Sequence, residues 1–194
     1  GFDVFASQGN QADGLRNMVV NIMHRDQDLV ILAALAAATN DFGTGVMDLT
    51  TILGAIAILG NNQVPTDEVD NMFGIISPAA KAYMMQFTEF SNSQYVDVKP
   101  FAGGASRKYR RWADVNWIET PLVTGVGTSS EILYLFHRSA VGYASSFDEA
   151  KVYADYETKH ARSWARAELY HEAAILQNSG IIKITHDGSA FVAT

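Results

Sequence analysis

Residues 132–144 read ILYLFHRSAVGYA, in which five apolar residues lead into a histidine, an arginine and a segment of small residues. A short, fully apolar run is typical of a strand covered on both faces, so we expect a buried strand at 132–136. Gly125 and Gly127 precede it. They are interpreted as a turn between strands and not as a dinucleotide-binding loop, because Ser130 replaces the third glycine and no helix follows.

Downstream of this strand the apolar residues recur with a period of two. Residues 152–156 alternate between apolar and polar side chains, which predicts a strand. Residues 164–176 alternate as well, and a strand is favoured there although alanine and glutamate would also suit a helix. A turn at 178–180 introduces a last strand at 181–185.

Upstream, the pattern changes to that of helices. A long helix is predicted from Asp13 to Thr39, with one apolar stripe formed by Leu15, Val19, Ile22 and Met23. Its second half is apolar on all sides between residues 29 and 35, so we expect that part to be buried on several sides.

Two shorter helices follow. The first is predicted over Leu49–Leu59, with Asp48 as N-cap and residues 60–62 supplying a left-handed C-terminal cap. The second is predicted to begin at Ser77-Pro78 and to run to about Thr88.

Two strands are predicted around these helices, a short buried one at 72–76 and a longer one at 107–118. In the longer strand Tyr109, Ala113, Val115 and Trp117 are expected to share a face. Because helices come early and strands late, the fold class is α+β.

The composition excludes several kinds of protein. With a formal net charge of -7, the chain lacks the basic balance of a protein that grips phosphates. The absence of cysteine removes disulfides, thiol nucleophiles and cysteine-bound metals. The longest apolar run, at 29–38, is far shorter than the roughly 20 residues that cross a bilayer, so no membrane partner is expected.

No motif amounts to an active site. His24 and the two residues after it match the first letters of a kinase catalytic loop, but the other kinase motifs are missing. The histidines lack the spacing of metal ligands, so neither a metal nor another cofactor is expected. One alternative stays open, a small cytosolic α+β enzyme that uses His160 or His171 with a nearby carboxylate.

A series of segments covers nearly all of residues 12–190. In order they are RDQDLVI at 25–31, VP at 64–65, FGIISP at 73–78, EFSNSQYV at 89–96, WADVNWI at 112–118, PL at 121–122, LYLFHRSAVGYA at 133–144 and GIIKITHD at 180–187. Their order and character resemble those of major capsid proteins of tailed bacteriophages with the Hong Kong 97-type fold.

The resemblance implies a Hong Kong 97-like α+β fold with a long spine helix, an axial domain and a peripheral β-sheet. Residues 1–11 would be a tail or the end of a missing arm, and 12–44 the peripheral spine helix. Residues 45–130 would be mainly the axial domain, and 131–194 would hold strands that return to the peripheral domain.

It also implies a structural, non-enzymatic function. Copies of the chain would assemble into hexamers and pentamers of an icosahedral shell in the virion, after synthesis in the bacterial host cytoplasm. Double-stranded DNA would be non-specific cargo, and portal, scaffold and decoration proteins would be further partners. A shell protein of a bacterial nanocompartment is a second structural alternative.

Aromatic residues and arginines are enriched where protein subunits meet. On this ground the residues expected at a self-assembly interface are Arg107, Arg110, Arg111, Trp112, Trp117 and Arg166. The alternative for the tryptophans is that they are simply core residues, because tryptophan is usually well buried.

Overall fold

The computed structural model describes residues 8–68, 70–86, 110–146, 151–160 and 162–191, with the backbone alone for residues 8–12 and 110. The chain divides into two compact units. The first takes its residues from 1–31 and 143–173, and the second from 32–142 and 174–194.

Helix α1 spans Gln8–Ala36. It begins before the predicted Asp13, so the expectation of a non-helical tail was wrong for residues 8–11. Glycine at 9 and asparagine at 10 are poor helix formers, but adding residues to a helix that is already nucleated costs far less than starting one. It also ends earlier than predicted, because the amides of Ala37 and Ala38 bond to carbonyls only three residues back and tighten the last turn.

The predicted apolar stripe of α1 is only partly correct. Leu15, Val19 and Met23 are half-buried, but Ile22 is 58% exposed. The expectation of burial on several sides for residues 29–35 was also wrong, since only Leu32 and Leu35 in that run are fully buried. Periodicity shows which residues share a face, but not how much of that face the rest of the chain covers.

Helix α2 spans Leu49–Asn61, and its N-cap is confirmed: the Asp48 carboxylate accepts the amide of Thr51 at 2.7 Å. The left-handed residue predicted within 60–62 lies one residue later. Asn62 has a φ of -80°, and the left-handed residue is Gln63, whose φ is 61°.

Helix α3 spans Pro78–Met84 and begins as predicted, because the Ser77 hydroxyl accepts the amide of Ala80 at 3.0 Å. It ends four residues before the predicted Thr88, which itself lies outside the described residues.

A six-stranded sheet forms the centre of the second unit, in the order β1-β10-β5-β2-β4-β3. Its strands are β1 (Asp41–Gly45), β2 (Met72–Ile76), β3 (Arg110–Trp112), β4 (Val115–Glu119), β5 (Glu131–His137) and β10 (Ile181–His186). The predicted strands at 72–76, 132–136 and 181–185 are thereby confirmed. Leu133, Leu135, Ile182 and Ile184 are buried and form the core of the sheet.

The single strand predicted at 107–118 is instead a hairpin of β3 and β4. Ala113 and Asp114 have positive φ values of 51° and 59°, which reverse the chain in a two-residue turn. Trp112 consequently pairs with Val115. Val115 and Trp117 share a face of β4 as predicted, but Ala113 lies in the turn and is not part of that face. Tyr109 lies outside the described residues.

The first unit contains an antiparallel ribbon of β7 (Lys151–Glu157) and β8 (Arg162–Glu168). Strand β6 (Val141–Ser145) pairs with β9 (His171–Ile175). The strand predicted at 164–176 is therefore confirmed, but as two strands separated at residues 169–170.

Candidate interaction surface

The two tryptophans of the β3–β4 hairpin are core residues of the second unit. Trp112 is 7% exposed and Trp117 is 4% exposed. The indole Nε1 of Trp117 donates to the carbonyl of Trp112 at 3.0 Å, which closes the hairpin. The Trp117 ring also lies against Gly74 on the neighbouring strand, where a Cβ would be 2.5 Å from Cζ3. Their burial explains how the hairpin is held, and any contact with another subunit would involve its exposed residues.

The arginines of the predicted interface lie in different parts of the chain. Arg111 is half-exposed on β3 and bonds the Asp70 carboxylate at 2.5 Å. Arg166 is exposed on β8, in the other unit, and forms an ion pair with Glu168. Arg107 lies outside the described residues, and only the backbone of Arg110 is described. Exposed ion pairs of this kind contribute little to stability, so both described arginines remain available to contact other molecules.

Helix α2 presents an apolar surface that the sequence analysis missed. Leu53 is 50% exposed and Ile58 is 37% exposed, on a helix whose other side buries Ile52, Ala55 and Leu59 completely. The signal in the sequence was the absence of any charged residue between Asp48 and Asp67. A helix that is apolar on all sides is normally buried on all sides. We call Leu53 and Ile58 the α2 patch.

Helix α1 and the β7–β8 ribbon, both in the first unit, also expose large apolar side chains. On α1, Met18 and Ile22 border a shallow depression that Asn17, Asn21 and Arg25 complete. On the ribbon the exposed residues are Tyr153, Tyr156 and Trp164. Exposed apolar groups arranged in patches, and not singly, are typical of surfaces that bind another protein.

The histidine that follows the central strand has a local structural role. His137 Nδ1 lies 2.7 Å from the Ser139 hydroxyl and accepts the Ser139 amide at 3.3 Å, so the ring caps the short turn Arg138–Ala140. The amide of Arg138 bonds to the carbonyl of Asn71 at 2.7 Å. These bonds give the sequence HRSA its shape at the end of β5.

The two histidines of the enzyme alternative do lie beside carboxylates. His171 Nε2 is 2.9 Å from Asp26 Oδ2, and His160 Nδ1 is 2.6 Å from Glu157 Oε1. Glu157 also accepts from Arg162 at 2.7 Å, which makes it part of an exposed ion-pair network at the end of the ribbon. Neither pair lines the depression on α1. The geometry is that of hydrogen bonds that hold the fold, one between α1 and β9 and one within the turn at the end of the ribbon.

Two kinds of feature are absent from the part of the chain that the structure describes. No group of three or more His, Cys, Asp or Glu side chains is placed to hold a metal ion. No described helix combines the length and the apolar character that a transmembrane segment needs.

Solved structures with a similar fold come from viral and other shells. A chain of Mycobacterium phage Che8 has a TM-score of 0.64 and 16% identity, with 84% of this chain and 59% of that chain covered. The capsid of an empty GTA particle has a TM-score of 0.63 and 8% identity, with 90% of this chain and 66% of that chain covered. The holo-SrpI encapsulin complex of Synechococcus elongatus PCC 7942 has a TM-score of 0.58 and 13% identity, with 92% of this chain and 66% of that chain covered. The fold is therefore that of Hong Kong 97-like capsid subunits.

The sequence identifies the family directly. The family model described as "Phage capsid protein" matches residues 1–188, so the chain belongs to the phage capsid protein family. This confirms the resemblance found in the sequence and makes the chain a structural capsid protein. No curated protein matches the sequence. The chain spans about three fifths of the Che8 chain.

Proposed function

We propose that this chain is a major capsid subunit that assembles into the hexamers and pentamers of an icosahedral shell around double-stranded DNA. The observation that carries the proposal is the match to the phage capsid protein family over residues 1–188. Rings of five and six copies need heterologous contacts, in which one surface of a subunit meets a different surface of the next. Synthesis in the host cytoplasm would precede assembly.

The exposed apolar surfaces support this proposal. The α2 patch would lose contact with water if a neighbouring copy packed on it, and that burial would favour association. The exposed arginines Arg111 and Arg166 would lie at the polar margin of such contacts, with Arg107 and Arg110 as further candidates. Portal, scaffold and decoration proteins would bind the assembled shell.

We assign the first unit to the peripheral domain, because it contains most of the long helix α1 and the β7–β8 ribbon. The second unit, with the six-stranded sheet and helices α2 and α3, is assigned to the axial domain. This assignment places residues 32–44, 131–142 and 174–194 in the axial domain, whereas the sequence boundaries placed them in the peripheral one.

Electron microscopy and light scattering of the purified full-length protein test the proposal. Rings and closed shells are expected, and a protein that stays a small oligomer at high concentration would contradict it. The variant Leu53→Asp should remain folded by circular dichroism but lose assembly, because a charge on the α2 patch would have to be buried. The control Asp67→Lys changes charge at a position that is exposed and already charged. Equal assembly by both variants would remove the α2 patch from the interface.

The contents of the particles separate the two shell functions. Particles isolated from infected cells should contain nuclease-protected double-stranded DNA. Particles filled with one enzyme and free of DNA would instead support the nanocompartment alternative, which the fold of the encapsulin neighbour also allows.

A further inference from the structure

A buried polar centre lies in the second unit, where β5 begins and β10 ends. Glu131 is the first residue of β5 and His186 the last of β10, and the antiparallel register places them opposite each other. Both are completely buried. A buried carboxylate beside a buried imidazole is costly unless each is satisfied by specific partners.

Glu131 joins three segments through its carboxylate. Oε1 accepts the amide of Gly127 at 2.7 Å in the loop before β5, and Oε2 accepts the hydroxyl of Ser77, which caps α3. Gly188 passes so close that a Cβ there would overlap Oε1 and lie 2.7 Å from Oε2. The amide of Gly188 meanwhile bonds to the carbonyl of Thr128 at 3.0 Å.

His186 adds a fourth segment, the connection between β1 and α2. Its Nδ1 accepts the amide of Met47 at 3.0 Å, so the neutral ring must carry its proton on Nε2. Nε2 has no hydrogen-bond partner among the described residues. The ring meets Tyr83 of α3 edge-on at 5.1 Å, and Tyr83 meets Phe191 in the same way at 5.2 Å.

We infer that His186 and Glu131 form a pH-sensitive latch, closed at neutral pH, that opens the β1–α2 connection when His186 gains a proton on Nδ1. The amide of Met47 points at the lone pair that the proton would occupy. The two N–H groups would then face each other, and the bond to Met47 would break.

The groups around the ring act in both directions. Burial, the largest effect, lowers the pKa of His186 below its ordinary 6.5. Three groups raise the pKa of His186 instead: the charge of Glu131 on β5, the Gly45 carbonyl on β1 and the charge of Asp187. Together they raise it by less than burial lowers it. Tyr83 of α3 adds a neutral ring. The neutral form is thus the one that the fold stabilises.

The lowered pKa of His186 makes the stability of the folded chain depend on pH. Because the pKa of His186 is lowered in the folded chain, its contribution to stability is complete above pH 6.5 and is lost as the pH falls from there. Each unit of difference between the folded and unfolded pKa changes the opening equilibrium about tenfold. The latch goes beyond shell formation, and it can be tested whether or not the chain assembles.

Hydrogen exchange of the full chain, corrected for the intrinsic pH dependence of exchange, provides the test. Protection of the peptide that contains Met47 should be lower at pH 5 than at pH 7.5 in wild type, because a proton on His186 Nδ1 breaks the bond to the Met47 amide. The variant His186→Asn keeps an acceptor near the Nδ1 position and should show no such fall. The control His160→Asn, on an exposed histidine, should behave as wild type. Constant protection in wild type, or an equal fall in His186→Asn, would overturn the latch.

A second measurement covers the case in which His186→Asn does not fold. In wild type, nitrogen NMR should show the His186 ring neutral at pH 7.5, with its proton on Nε2, and charged only where Met47 has lost its protection. Glu131→Gln removes a charge that favours protonation and should move the loss of Met47 protection to lower pH. A His186 ring that becomes charged while Met47 stays protected would refute the proposal.

Discussion

Replacing Gly74 with alanine is expected to destabilise the six-stranded sheet through one contact. Gly74 lies opposite Trp117 in the parallel pairing of β2 and β4. A Cβ at this position would lie 2.5 Å from Cζ3 and 3.1 Å from Cδ2 of the Trp117 ring. The ring cannot easily turn away, because its Nε1 is bonded to the carbonyl of Trp112 at 3.0 Å.

The magnitude follows from two opposing effects. Forcing an extra carbon into a packed core costs about 1–3 kcal/mol. Replacing glycine in a strand returns about 0.5–1 kcal/mol, because the unfolded chain has less freedom to lose. The net loss should be at most about 2.5 kcal/mol, which lowers the melting temperature of a chain of this size by up to about 10 °C.

Urea unfolding followed by far-ultraviolet circular dichroism measures the loss. Gly45→Ala is the matched control, since Gly45 also lies in a strand but has nothing within 4 Å of its Cβ position. Trp117→Phe should partly rescue Gly74→Ala, with a coupling energy of about 0.5–2 kcal/mol. Strict additivity, or equal stability of Gly74→Ala and Gly45→Ala, would refute the assignment of the cost to this ring.

Three further predictions concern single residues. Asp48→Ala should cost about 1 kcal/mol through loss of the α2 cap, while Asp48→Asn keeps the cap. Because the hydrogen bonds from Thr51 lower the pKa of Asp48 below 3.8, wild-type stability should fall as the pH drops through that range, and urea unfolding should show a shallower fall for Asp48→Asn. Arg111→Glu breaks the exposed ion pair with Asp70, so the free energy of unfolding should fall by less than about 1 kcal/mol. If shell assembly fails while the melting temperature is unchanged, Arg111 lies at a contact between copies. Gly188→Ala should lower the melting temperature clearly, because its Cβ would overlap a buried carboxylate; a wild-type value would show that the C-terminal segment can move aside.

The sequence predicted best those features that depend on a few neighbouring residues. The caps at Asp48 and Ser77 were predicted correctly because each depends on one side chain and an amide three residues on. The apolar strand 132–136 was predicted correctly because no helical period fits so short a run.

The β3–β4 hairpin could not be predicted in this way. Its turn residues, Ala113 and Asp114, lack the glycine that usually marks two left-handed positions in succession. Trp112 and Trp117 have rings packed within the sheet, and the contact with Gly74 that fixes one of them comes from a strand about forty residues earlier. Tertiary packing, and not local preference, selects the turn.

The buried polar centre was invisible for the same reason. Glu131 and His186 are far apart in sequence and meet only through the register of β5 and β10. The sequence instead drew attention to His160 and His171, because carboxylates lie near them in sequence or could meet them in the fold. Burial in the core lowers the pKa of a different histidine, His186, whose ring accepts a backbone amide.

The α2 patch connects the fold to the proposed assembly. One side of α2 buries Ile52 and Leu59 completely against the second unit, so the helix is anchored without help from Leu53 and Ile58. Leu53 and Ile58 nevertheless remain 50% and 37% exposed after folding, although they lie in a stretch without charge. Contact with another subunit gives those side chains a physical role, because it removes their exposed apolar area from water and so favours association. On this reasoning, a charge at Leu53 should leave the folding of the chain intact and affect only its association.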